Sequence, residues 1–489
     1  MKFFLIFFSV LVSQTCFAQL SKTTTLALNK TVHEMDATTE TSIQIVRLSD
    51  GKVLFERDEN KLRIPASVTK IVTAATILAK FDAPHQFSTD FYITGERKDG
   101  VVKGDLVIVG DGDPFIVSEQ LWQLAADFKH MGIKSISGNL VIDNSLFAGT
   151  GRDASRKFGK QSSRNAYDAP VSAFGVNFNT FATAVFPNED VGKPAFVNLD
   201  PYPIRGIEIT NKVITKNKST RLNIRVQRQS SSGNDRIVAS GVIPINSLLY
   251  KKYRSVSDFV QASGETVRAF LLAQGILING KVVEGGLPQN SKKIHTLYGY
   301  PIRKIVEGLN TFSNNYIADV MIKRLGAAYP LKGAANAAGQ GTYENGLAVV
   351  SQFLKKEVGI KSEFEILNGS GLSTDNRLSA AQIVKLLKYM AKSMQMYPEF
   401  LGSLPASGWD GTMEKRMRDN AKKHGLVRAK TGTLTSPVSV AGLAGYTSHP
   451  KHGLIAFCIL DNGMKSKKQP AISALRDRQD KLLIQLLKD

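Results

Sequence analysis

The 489-residue chain holds only two cysteines, Cys16 and Cys458, and seven histidines. Cys16 falls in a leader-like segment, so its removal leaves no pair for an internal disulfide. Cys458, in the apolar run LIAFCIL, is expected to be a buried small hydrophobe, and redox chemistry drops out. The histidines lack metal-ligand spacing, and no Gly-x-Ser-x-Gly elbow recruits one to a catalytic triad. Asp111 and Asp113 in GDGDP invite a calcium reading, but no glutamate closes an EF-hand loop behind them; a strand-ending turn is expected. Nucleophilic chemistry here needs a base other than histidine, and no metal or cofactor is called for. Long apolar runs are also missing. Beyond the leader nothing approaches about 18 uninterrupted apolar residues, so no transmembrane segment is expected in the mature chain.

What is present begins with that leader. Lys2 precedes an apolar run from Phe3 to Val12, and CFA puts small residues one and three positions before a cut after Ala18. Residues 1–18 read as a signal peptide, and the protein as exported, periplasmic or secreted. Net charge is +21. Inside a cell that would favour nucleic acid, but export removes this partner and leaves extracytoplasmic polyanions. The densest basic stretch runs from Arg205 to Arg228, with Glu208 its sole acid. Within it, RLNIRVQR alternates Arg221, Asn223, Arg225 and Gln227 with Leu222, Ile224 and Val226, the pattern of a half-buried strand with a solvated face.

The length suggests about three compact units at roughly 150 residues each. TSIQIVRLSDGKVLFERD reads as a β-hairpin turning at Asp-Gly. PASVTKIVTAATILAKF reads as a helix opened by Pro65, with Val68, Ile71, Val72, Ala75, Ile77 and Leu78 at helical spacing. Residues 91–290 read as a β-rich insertion, in one or two subdomains. After it, YPIRKIVEGLNTFSNNYIADVMIKRLG and LSAAQIVKLLKYMAKSM read as helical. The end reads as three strands and an amphipathic helix that packs on them. The hairpin and these strands would form one antiparallel sheet flanked by helices, an α+β architecture in which 19–90 and 291–489 make one domain.

Acyl transfer without histidine needs a hydroxyl nucleophile, a base, a donor for the leaving amine and an oxyanion hole. Ser67 and Lys70 lie one helical turn apart and share a face. Ser49 and Lys52 have the same spacing but straddle the hairpin turn, where nothing makes them converge. Ser313 to Asn315, SNN, falls in a helical stretch. Lys430 to Thr433, KTGT, falls on an edge-type strand where Gly432 would let a substrate backbone approach. Ser-x-Asn recurs in turns at Ser137 and Ser232, whereas Lys-Thr-Gly occurs once.

The three motifs in this order are those of penicillin-binding proteins and serine β-lactamases. In detail the chain resembles the penicillin-binding protein 4 type of D-alanyl-D-alanine carboxypeptidase and endopeptidase, the S13 peptidases. GDLVIVGDGDP, TFSNNYIADVMIKRLG, NGSGLSTDNRLS, LPASGWDGTMEKRM and AKTGTL followed by AGLAGY resemble that family's segments, in its order, from about residue 40 to 465. The long span from Ser67 to Ser313 matches the place where the family carries its extra domains. Asn368 departs from it, since the family commonly has Asp before Gly-Ser-Gly.

The resemblance implies a transpeptidase-like domain with a large β-rich insertion. It implies a hydrolase of peptidoglycan stem peptides and cross-links that β-lactams inhibit covalently. Ser67 would be the nucleophile and Lys70 its base. Ser313 would relay a proton to the leaving amine, tuned by Lys430, and Asn315 would hold the substrate amide. The backbone N–H groups of Ser67 and Thr433 would form the oxyanion hole, and Thr431 and Thr433 would bind a terminal carboxylate. Two alternatives are a serine β-lactamase and a non-catalytic penicillin-sensing or wall-binding protein. No Glu-x-x-Leu-Asn of class A β-lactamases follows Ser313, and intact Ser67, Lys70 and Lys430 speak against a degenerate site.

Overall fold

The computed structural model describes residues 19–488 except 150, 153–154, 156–163, 232–233, 331–338 and 419–424. The leader expected at 1–18 lies outside the described residues. Both ends of the chain build one five-stranded antiparallel sheet, in the order Val427–Leu434, Val440–His449, Gly453–Gly463, Thr39–Arg47, Val53–Arg57. The last two strands are the hairpin expected from SDG. Gly51 turns it at φ 75°, a conformation open to glycine without a Cβ clash.

Helices cover both faces of this sheet, which explains why LIAFCIL is apolar without alternation. Successive strand residues point to opposite faces, so a strand between two helical layers buries all of them. Ala456, Cys458 and Leu460 pack into the core around helix Thr69–Phe81. Ile455, Phe457 and Ile459 pack into the core shared with helices Lys22–His33 and Ile472–Leu486. Burial pushes the Cys458 thiol pKa well up, which keeps it protonated and unreactive. The C-terminal helix therefore packs on the sheet, as its amphipathic pattern suggested. No helix among the described residues is long and apolar enough to cross a membrane.

Strands Gln86–Ile93 and Lys292–Pro301 pair antiparallel, so the chain leaves and returns side by side. Between them lie two further apolar cores. One joins Phe91, Leu106, Leu140 and Ile142 to helices Ser118–His130 and Phe259–Ala273. Leu106–Val109 pairs there in parallel with Leu140–Asp143, because Ser118–His130 supplies the crossover. The other core lies among two three-stranded sheets spanning Thr180 to Ser255. The short β-runs of this region are thus real, but two helices accompany them.

GDGDP does end the strand Leu106–Val109. Asp111 pairs with Arg324 at 3.1 Å. Asp113 is fully buried, accepts the Phe115 N–H at 2.8 Å, and has its pKa pushed up to about 7 by burial. In strand Asn223–Ser231, Arg225 and Gln227 are exposed around buried Val226, as the alternation requires. Arg228 is a correction to the basic-face reading. It faces inward, 2% exposed, with its guanidinium 3.6 Å from the Asp235 carboxylate.

Candidate active site

PASVTK forms a 3-10 turn, Ala66–Val68, that runs directly into helix Thr69–Phe81. The helix buries Ile71, Val72, Ala75, Ile77 and Leu78 together with Lys70 and three threonines, so it runs through the middle of its layer. Its N-terminal end is correspondingly rigid. Ala66 has φ 48°, a left-handed conformation that costs a residue with a Cβ about 1–3 kcal/mol. Thr69 Oγ1 holds the turn by donating to the Ala66 carbonyl at 2.9 Å. Lys70, fully buried, donates to Ser67 Oγ at 3.0 Å, to Asn315 Oδ1 at 2.6 Å and to the Ser370 carbonyl at 2.5 Å.

Ser313 requires a correction. The segment read as one helical stretch is the end of a strand, a helix Ile302–Thr311 and a second helix Asn315–Ala328. Ser313 sits in the break with φ 56°. Asn314 caps the second helix by accepting the Ile317 N–H at 3.2 Å. The break aims Ser313 at Lys430, whose ammonium donates to Ser313 Oγ at 2.8 Å. Asn315 opens the second helix and links two regions: its Oδ1 accepts from Lys70, and its Nδ2 donates to the Tyr167 carbonyl at 2.8 Å. Tyr167 lies in the turn Ala166–Asp168, far from the motifs in sequence.

Lys430 lies on Val427–Leu434, the edge strand of the sheet. It is fully buried, and burial together with the nearby Lys70 charge holds its pKa well below that of an ordinary lysine. Thr431 and Thr433 point to the opposite face. Thr431 Oγ1 meets Thr412 Oγ1 at 2.8 Å, and Arg476 donates to Thr433 Oγ1 at 2.9 Å. Gly432 is also needed for packing. A methyl group there would stand 2.7 Å from the Pro65 carbonyl oxygen and 3.2 Å from the Ser67 nitrogen. The missing side chain lets the strand lie against the Ser67 turn.

The sequence reading named the loop NGSGL without giving it a role; it is the third support of Lys70. Asn368 Oδ1 accepts the N–H groups of Ser370 at 3.1 Å and Leu372 at 3.0 Å and the Ser370 hydroxyl at 2.6 Å. These bonds fix the Ser370 carbonyl against Lys70. An amide oxygen supplies the same acceptor that the family's usual carboxylate would, so Asn368 suits this task. Gly371, at φ 78°, leaves no room for a side chain, because a methyl there would come within 2.0 Å of the Ala66 carbonyl oxygen. The Gly-Ser-Gly turn chemistry was the available signal.

Ser67, Ser313, Thr431, Thr433, Thr412 and Arg476 line one cleft of about 430 Å³. Lys70 and Lys430 stand behind its hydroxyls. The structure therefore brings together every motif residue singled out in the sequence. Ser-x-x-Lys, Ser-x-Asn and Lys-Thr-Gly around one cleft, on an antiparallel sheet between helices, define a penicillin-recognising serine enzyme.

Known proteins agree. The model of the D-Ala-D-Ala carboxypeptidase 3 (S13) family matches residues 25–483, so the chain belongs to that family and is a serine hydrolase of peptidoglycan. It is 30% identical over 454 residues to the D-alanyl-D-alanine carboxypeptidase of Actinomadura sp. (strain R39), covering 89% of this chain and 79% of the relative. Its fold is similar to that of penicillin binding protein 4 from Haemophilus influenzae, with a TM-score of 0.74 at 21% identity over 94% of this chain and 99% of the other. The same protein complexed with a β-lactam gives a TM-score of 0.71 at 22% identity over the same shares.

Proposed function

We propose that the enzyme cleaves D-alanyl bonds through a Ser67 acyl-enzyme. The observation that carries the reading is the 3.0 Å hydrogen bond between Lys70 Nζ and Ser67 Oγ at the mouth of the cleft. Lys70, once it has given up its own proton, takes the hydroxyl proton as Ser67 attacks the carbonyl of the penultimate D-alanine. The backbone N–H groups of Ser67 and Thr433 stabilise the oxyanion. Ser313, coupled to Lys430, delivers a proton to the departing amine, and Asn315 holds the substrate amide. Thr431 and Thr433 face the end that bears the carboxylate. Water then releases the peptide and frees Ser67.

Both a free D-alanine and the D-centre of a cross-linked diamino acid can leave from this carbonyl, so the reading covers carboxypeptidase and endopeptidase reactions. Residues 19–90 and 291–489 form the catalytic domain, and 91–290 the inserted one. The Tyr167 carbonyl bonded to Asn315 supports a role for the insertion in shaping the cleft. The substrate lies outside the cytoplasmic membrane, which fits export of the chain, and β-lactams would occupy the same serine.

Chromatography of purified pentapeptide monomers and cross-linked dimers after incubation with the protein tests this. The expected outcome is release of D-alanine, cleavage of the cross-link, or both, abolished by penicillin and by Ser67→Ala. Rapid turnover of penicillin with intact muropeptides would instead mark a β-lactamase. Stable penicillin labelling with intact muropeptides would mark a sensor.

A further inference from the structure

The inserted domain carries a cationic face that the acyl-transfer chemistry does not use. Strands Ile207–Lys216, Asn234–Pro244 and Asn223–Ser231 form a three-stranded sheet with Asn234–Pro244 in the middle. Val213, Val226, Ile237 and Ala239 turn one face of it into an apolar core. Alternation turns their neighbours in sequence to the other face. There Lys212 and Arg225 both stand beside Ser240, so the two cations flank it in one row, two strand spacings or about 10 Å apart. Both are exposed, as is Arg221 just ahead of its strand.

Acids balance the other cations of this sheet but not these three. Arg228 faces inward to Asp235, and Arg236 pairs with Glu208 at 3.4 Å. Between Glu208 and Asp235 the chain has no acidic residue. Among the described residues no carboxylate lies within ion-pair distance of Lys212, Arg221 or Arg225. Glu189 and Asp190 stand on a turn whose Gly192 N–H bonds the Thr215 carbonyl, at the end of the sheet marked by Lys216. The uncompensated charge therefore lies on Lys212, Arg221 and Arg225.

The same sheet is tied to the cleft. Arg254, on the neighbouring strand Tyr250–Ser255, donates to the Val226 carbonyl at 3.0 and 2.5 Å. The Arg254 backbone pairs with that of Asn165, two residues before the Tyr167 whose carbonyl accepts from Asn315. A polymer seated on the cationic face would thereby be held at a fixed offset from Ser67.

We propose that Lys212, Arg221 and Arg225 form a docking face, outside the cleft, for the peptidoglycan polymer itself, drawn by the free carboxylates of stem peptides that are not being cleaved. The assignment rests on the peptidoglycan-hydrolase reading above. Three separated charges on one sheet suit a polymer with repeated carboxylates better than a single small anion, and they raise the local concentration of substrate at the enzyme.

The test sediments penicillin-treated wild type and the Lys212→Gln/Arg221→Gln/Arg225→Gln variant with purified peptidoglycan sacculi, either native or with their carboxylates capped as amides by carbodiimide coupling. On native sacculi the triple variant is expected to bind about tenfold more weakly than wild type at about 0.05 M salt, and the difference should shrink at about 0.5 M as screening removes it. Capping should weaken the wild type to a similar extent and change the variant little. Penicillin labelling and kcat/KM on soluble muropeptides should stay within about twofold in the variant, because the substituted side chains are exposed and remote from the acyl-transfer groups. A triple variant that sediments like wild type, a wild type indifferent to capping, or one that binds anionic phospholipid vesicles as tightly as sacculi overturns the assignment and leaves the hydrolase reading standing. A protein that takes no penicillin and cleaves no muropeptide, yet loses sacculus binding in the triple variant, would overturn the hydrolase reading and support the docking face.

Discussion

The hairpin turn and the start of helix Thr69–Phe81 each carry a serine three residues before a lysine, Ser49 with Lys52 and Ser67 with Lys70. At the hairpin, the Lys52 N–H bonds the Asp50 carboxylate at 3.0 Å, and among the described residues no hydrogen bond joins the Ser49 and Lys52 side chains. At the helix, Lys70 is buried and bonded to Ser67, with Asn315 and Ser370 fixing it from two other segments. Spacing brings a base within reach of a hydroxyl; long-range partners turn that proximity into a site. The lysine at the helix is held by residues roughly 245 and 300 positions away in sequence.

The comparison breaks first if the serines are exchanged in importance. Ser67→Ala should lower muropeptide hydrolysis by at least about 10³-fold, the scale of losing a covalent nucleophile, and Ser49→Ala by less than about twofold, both measured as D-alanine release. Lys70→Gln should cost about 10²–10³-fold in the penicillin acylation rate, against little change for Lys52→Gln. It should also alter Lys430. The Lys70 charge helps depress the Lys430 pKa, so the Lys430 resonance in lysine-labelled protein should titrate at higher pH in the variant. A Lys430 that titrates unchanged would separate the two lysines.

Gly371→Ala sharpens the role of the distant support. Its methyl group would collide with the Ala66 carbonyl and displace the loop that holds Lys70, so acylation should slow by about 10²-fold. The smallest effect lies away from the site. The folded pKa of Asp113, about 7, stands above its ordinary 3.8. Its burial costs nothing while both states are protonated. The penalty grows as pH rises from about 4 and is complete above about 7. Asp113→Asn keeps the acceptor for Phe115 and removes that penalty. The unfolding free energy from denaturant titration should therefore rise at pH 8, by on the order of a few kcal/mol, and stay near wild type at pH 4.

Much of the site was legible in the sequence because its chemistry is local. PASVTK, SNN and KTGT each bring their groups within a few residues, and the turn at Asp-Gly removed the competing serine. The central sheet was legible for a related reason: apolar runs such as LIAFCIL and turn residues mark strands without reference to partners. What stayed hidden depends on contacts between distant segments. Tyr167 acts through a backbone carbonyl with no sequence signature, and Ser370 does so in a loop whose Gly-Ser-Gly marks a turn but not its partner. The left-handed turn at Ser313 interrupts a pattern that otherwise keeps helical spacing. Gly432 was singled out, but only packing against Pro65 and Ser67 shows what its missing side chain admits. Arg228 reads as a surface charge until its pairing with Asp235 places it inside. Helix Ser118–His130 carries Leu121, Leu124, Ala125 and Phe128 at helical spacing, but it is short and set among β-runs.

The most direct test of the central claim is to react the purified protein with penicillin and locate the adduct by peptide mass mapping. The account predicts one persistent ester on the peptide containing Ser67, absent from Ser67→Ala and unaffected by Ser49→Ala. An adduct on another residue, or a protein that neither retains nor consumes penicillin, would contradict it.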